Sequence, residues 1–149
     1  MYFEGSLSMV RGILVAVTLV FGASAVQADV IEDRKKAMKA MSQAAKPVVG
    51  MLKGAKFDLA TVKTTLKAIS DNAKASAKLY PAGSDKGKTA ALPAVWSKNA
   101  DFLAKMKKLG DDADAAAGKI TNLASLKANF PGVMKNCGAC HKDYRAKKK

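Results

Sequence analysis

Histidine occurs once in the 149 residues, at His141, and cysteine twice, at Cys137 and Cys140. A structural zinc site needs four such ligands, so this chain cannot supply one by itself. Aromatic residues make up 6% of the sequence and no stripe interleaves them with basic residues, which argues against a nucleic-acid-binding surface. No segment reads as a strand, no internal repeat or low-complexity tract is present, and no nucleophile constellation can be assembled. Acidic residues are scarce as well. Twelve Asp and Glu stand against 26 Lys and Arg, giving a formal net charge of +14. The uncharged run from Gly12 to Ala28 falls short of the roughly 20 apolar residues a membrane span requires.

The scarce residues are gathered in one place. Cys137-Gly138-Ala139-Cys140-His141 uses both cysteines and the single histidine, and C-x-x-C-H is the attachment signature of a c-type haem. On a helix, positions i, i+3 and i+4 share a face, so two thiols reach the haem vinyl groups while the imidazole points at the iron. A Cys-x-x-Cys redox pair would be expected beside a βαβ pattern, which is missing. A plain disulfide leaves the adjacent histidine unexplained. The expectation is one covalent haem c with His141 as an iron ligand. Because no second histidine exists, the sixth ligand is a methionine, a lysine, a tyrosine, water or nothing. Nor does any histidine remain to serve as a distal acid or base, so a peroxidase-like enzyme is not expected.

The N-terminal segment reads as an export signal. Arg11 precedes the apolar run Gly12 to Phe21, and Val26-Gln27-Ala28 offers small residues for cleavage before Asp29. Residues 1–8 fit no part of that signal, and the expectation is a start at either Met1 or Met9. An uncleaved membrane anchor is the competing reading. Cleavage after Ala28 removes Glu4 and Arg11, one charge of each sign, so residues 29–149 keep the +14. Export also suits the chemistry, since haem attachment needs two free thiols outside the cytoplasm, and a bacterial periplasm follows. The lysines are read either as solvated helix faces or as a docking surface for acidic redox proteins.

Residues 29–149 show helical periodicity almost throughout. Ile31, Met38, Met41, Ala45, Val48 and Leu52 form one stripe, with Arg34, Lys35, Lys36 and Lys39 at its edges and outside. Asp58 is a candidate N-cap for a second helix carrying Leu59, Val62, Leu66, Ile69, Ala73, Ala77 and Tyr80. Pro81 to Thr89 is the long loop. Pro93 opens a third helix with Trp96 as a core anchor, Phe102 or Leu103, Met106 and Leu109. The fourth turns Leu123, Leu126, Phe130, Val133, Cys137, Cys140 and Tyr144 inward, with Pro131-Gly132 expected to kink or split it. The prediction is an all-α, antiparallel four-helix bundle. In the common small helical cytochromes the haem motif lies near the N-terminus with a methionine ligand after it, an order opposite to this one.

These features together resemble the cytochrome c-prime superfamily: the Cys137 to Arg145 segment, Leu79-Tyr80-Pro81-Ala82-Gly83-Ser84, Leu92-Pro93-Ala94-Val95-Trp96, and Arg34 four residues before Met38. The resemblance implies an exported bundle with haem c at one end, often a homodimer. It further implies one of two branches: a high-spin form that binds small gases, or a low-spin His/Met form that carries electrons. The first helix of that family supplies the distal face of the haem, and Met38 matches its distal residue. Met38 is thus either the iron ligand, the preferred reading, or unligated pocket lining. Met41 is read as core, and Met134 sits on His141's own helix and cannot cross to the other haem face. Arg34 and Lys35 match residues beside the haem that can pair with propionates, or else lie on a solvated face. Thr89 falls in the loop that approaches the haem edge. Arg145 can reach a propionate or the third helix.

Overall fold

The computed structural model describes residues 22–147, with side chains from residue 29 onward. The apolar run Gly12 to Phe21 and the start at Met9 lie outside the described residues. Five α-helices follow in order: α1 Gly22–Leu52, α2 Leu59–Ser76, α3 Ala94–Ser97, α4 Asn99–Lys119 and α5 Leu123–Tyr144. A 3-10 turn, Ala77–Leu79, continues α2. Because α3 and α4 together fill one position, the chain is an antiparallel four-helix bundle. Extended pairing among the described residues is confined to one bridge, Ala91 with Arg145.

Local chemistry sets the helix ends. Asp58 is extended and its carboxylate accepts a hydrogen bond from the Thr61 backbone N–H at 2.9 Å, capping α2 as expected. At the start of α5, Asn122 and Ser125 form a reciprocal capping box. Two expectations are corrected. The third bundle helix breaks at Lys98, where ψ swings to 42°. The fourth is not split: α5 runs as one helix through Pro131. Pro131 removes the bond to the Lys127 carbonyl, but both residues are exposed, so water takes up the freed group. Pro47 is accommodated in the same way on the exposed side of α1.

Small residues decide how closely the helices approach. Gly110 of α4 lies so near α2 that a Cβ there would stand 3.6 Å from the Ser70 carbonyl and 3.4 Å from Lys74 Cε. Ala73, Ala113 and Ala116 are buried in the same layer. Around it Val48, Val62, Leu66, Ile120, Leu126 and Phe130 are fully excluded from solvent. Contacts run from α1 to α2, α2 to α4 and α4 to α5, whereas α1 and α5 hardly touch. The bundle therefore has one open seam. Asn122→Ala removes the α5 cap and is expected to lower unfolding free energy by about 1 kcal/mol in urea titration followed by helical circular dichroism, while Asn122→Asp keeps most of it.

Candidate haem site

The open seam widens into a cavity of about 760 Å³, bordered by both of its helices and floored by α4 residues such as Phe102, Met106 and Leu109. That volume falls within the roughly 300–1,000 Å³ usual for cofactor pockets. From α5 the lining includes Cys137, Cys140 and His141; from α1 it includes Met38 and Met41; Lys35, Arg34 and Thr89 line it too. All seven residues singled out in the sequence as cofactor contacts thus border one space.

The α5 wall is fixed at its far end. Tyr144, one turn beyond Cys140 and 4% exposed, donates its hydroxyl to Asp101 of α4 at 2.5 Å. Its carbonyl accepts from the Leu92 N–H at 3.0 Å, and the Ala146 N–H donates to the Ala90 carbonyl at 2.8 Å. Lys105 also lies between Asp101 and Asp143, at 3.7 and 3.9 Å. The hydrogen bond to Asp101 raises the Tyr144 phenol to about 12 and lowers the Asp101 carboxyl.

Burial raises both thiols, Cys140 to about 11. A disulfide-exchange cysteine needs the opposite shift, so the pair is chemically quiet until it is alkylated, and a thioether carries no charge to bury. The His141 imidazole is lowered, by burial first and by the Arg145 charge second. It is therefore neutral at pH 7, the form that binds a metal.

The α1 wall departs from expectation at Arg34. The sequence placed it at the edge or outside of its helix; it is 4% exposed. Nε donates to the Leu79 carbonyl at 2.5 Å, Nη1 to the Ser84 carbonyl at 2.8 Å, and Nη2 to the Ser84 hydroxyl. The guanidinium also stacks 4.5 Å from the Tyr80 ring centroid and 5.2 Å from that of Trp96. Arg34 is a clasp between α1 and the Leu79 to Ser84 loop. Trp96 is half-buried and packs against the core, and its indole N–H holds the Pro81 carbonyl at 3.0 Å. Lys35 is exposed and pairs with Glu32 at 2.6 Å. Thr89 is half-buried and its hydroxyl accepts from the Ala91 N–H at 3.1 Å. Met38 is half-buried at the cavity, whereas Met41 is 8% exposed and packed in the core.

Sequence reasoning missed Tyr80, Ser84, Asp101 and Lys105. Ser84 and Tyr80 lay within a loop motif already noted, but nothing local joins Ser84 to a residue fifty positions earlier.

A sequence profile described as Cytochrome C' matches residues 29–145. The chain belongs to the cytochrome c' family. Cytochrome c' of Rhodopseudomonas palustris is 49% identical over 134 residues, covering 89% of this chain and 92% of that protein. Its solved structure superposes with a TM-score of 0.79 at 50% identity, over 81% of this chain and 98% of that one. Cytochrome c-556 of Agrobacterium fabrum is 42% identical over 123 residues, 79% of this chain and 82% of its own length. As a cytochrome c' family member the chain binds one covalent haem c. The cavity fits that group, with two thiols and a neutral imidazole on one wall and apolar side chains facing them.

Two outcomes follow from this geometry. Arg34→Gln strips a charged donor from the Leu79 and Ser84 carbonyls and should lower stability by about 2–3 kcal/mol. Limited proteolysis should then cut first at residues 81–84, and Arg34→Lys should recover only part, since one ammonium cannot span three acceptors. The second concerns alkali. The folded Tyr144 phenol titrates above its ordinary value of 10, so its contribution is complete below pH 10 and is lost as pH rises toward about 12. Tyr144→Phe should flatten that alkaline loss in urea midpoints measured across the range.

Proposed function

We propose that the protein is a periplasmic single-electron carrier whose haem c is held by His141 and Met38. The observation that carries this reading is the placement of Met38: both neighbouring methionines of α1 border the cavity, but Met41 is buried within the core cluster whereas Met38 is only half-buried. Haem c supplies an Fe(III)/Fe(II) couple when bound. The chain's residues do the rest. Cys137 and Cys140 would hold the group through thioethers, His141 and Met38 would supply a nitrogen and a soft sulfur to its iron, and Phe102, Met106 and Leu109 form an apolar floor. A thioether favours the reduced metal and raises the potential, and a site that keeps all its ligands through the cycle reorganises little. Lys35 and Arg145 at the rim, with the remaining donors of Arg34, are suited to propionates, and Thr89 to the haem edge.

Export belongs to the same reading. Its supports are the Arg11 to Ala28 signal pattern and the family match beginning at Asp29, and no helix among the described residues is long and apolar enough to cross a membrane. Assembly as a homodimer is part of it, as the resemblance implies.

A second reading has its own support. The R. palustris relative at 49% identity is a cytochrome c', above the c-556 relative at 42%. A structure titled as the nitric oxide complex of the L16A mutant of Alcaligenes xylosoxidans cytochrome c prime superposes at TM-score 0.74 and 26% identity. On that reading Met38 only lines an apolar pocket open to NO or CO.

The optical spectrum separates the two. With Met38 as ligand, the ferric protein shows a weak sulfur-to-iron charge-transfer band at the red end, and Met38→Ala converts it to a high-spin form that takes up CO readily. Met41→Ala costs about 2–5 kcal/mol and leaves the spin state unchanged. A natural protein that is already high-spin and binds CO without losing a ligand overturns the carrier reading.

A further inference from the structure

Charge is not spread evenly over this bundle. From Arg34 to Phe57 the chain carries cations and no carboxylate, and from Ala115 to Lys142 the same holds. These stretches include most of the cavity-bordering residues of α1 and α5, the two helices that flank the open seam. Elsewhere Asp71 of α2 and Asp111, Asp112 and Asp114 of α4 are each paired with a lysine, and on α1, just before this stretch, Glu32 and Asp33 pair with Lys35 and Lys36. From Lys39 onward on α1, and along α5 to Lys142, the lysines have no such partner among the described residues.

On α1, Lys39 and Lys46 are seven residues, or two helical turns, apart and so share a face, and Lys53, one residue past the helix end, continues the spacing. Lys46 and Lys53 border the cavity. Lys135 and Lys142 repeat the spacing on α5. All five are exposed, and among the described residues none has a carboxylate at ion-pair distance.

We propose that this α1/α5 face is the docking surface for an acidic redox protein, with the two lysine stripes steering its carboxylates onto the open side of the haem cavity. The proposal rests on the carrier reading and names its partner's chemistry. Clefts lined by one sign of charge raise encounter rates by about 10- to 1,000-fold. A second copy of the chain would set lysine against lysine. An anionic bilayer would want large apolar groups to insert, and besides Lys46 the exposed residues between Lys39 and Lys53 are Ala40, Ser42, Gln43 and Pro47.

The test uses haem-loaded protein and a carboxylate-terminated monolayer on gold as the acidic probe, reading both adsorption and interfacial electron-transfer rate at low ionic strength. Lys46→Glu/Lys53→Glu and, away from the cavity lining, Lys39→Glu/Lys135→Glu should each weaken adsorption about tenfold or more. Lys107→Glu/Lys119→Glu on α4 changes net charge equally and should stay within about twofold. Equal losses in all three variants would mean that only net charge matters and would overturn the proposal. So would binding to phosphatidylglycerol vesicles without adsorption to the monolayer, or an α1/α5-face variant that changes the oligomeric state in light scattering. Adsorption does not depend on the axial ligand, so a high-spin spectrum would sink the carrier reading without imitating any of these results.

Discussion

Keeping α1 and α5 apart is the constraint on which the rest of the structure depends. Four helices in a ring would close on themselves if every neighbouring pair packed equally well. Here α2 and α4 approach closely through Gly110, Ala73 and Ala113, and hydrogen bonds run onward from α4 to α5, with Asn136 donating to Asp112 at 2.7 Å and Tyr144 to Asp101. α1 is held by fewer polar ties, chiefly Thr65 donating to the Ala44 carbonyl at 2.9 Å and the Arg34 clasp. An empty seam would cost apolar exposure without return; a flat, mostly apolar cofactor fills it and restores the missing layer of core.

The Arg34 clasp shows how a buried charge is made tolerable. Burial disfavours the charged guanidinium and lowers its pKa. Two carbonyls, a hydroxyl and two aromatic faces replace the lost water. In return the charge holds a loop that has little packing of its own. Gly87 closes the same loop against α1: it adopts φ +110°, and a Cβ there would come within 2.9 Å of Ile31 Cδ1.

Most of this fold was legible because it is written in short-range patterns. The apolar stripes of α1, α2 and α5, the Asp58 cap and the Cys137 to His141 spacing each depend on residues a few positions apart. What was not legible depends on distant partners or on the environment of a backbone group. Arg34 was read as a propionate partner or a solvated residue, and its role as a clasp was not legible because its acceptors lie 45 and 50 positions away. Pro131 looked like a break because the sequence does not say that its orphaned carbonyl will face solvent. Trp96 does pack against the core, but its indole bond to the Pro81 carbonyl, fifteen positions away, could not be read locally.

The two internal prolines have a mechanical meaning. Pro47 lies in α1 and Pro131 in α5, and each deletes one rung of the helical hydrogen-bond ladder. Between them α2 and α4 are uninterrupted and locked together. Compliance is therefore concentrated in the two walls of the cavity and stiffness in the pair behind them. Small changes in the width of the seam can be absorbed by bending at its sides, while the spine of the bundle stays still.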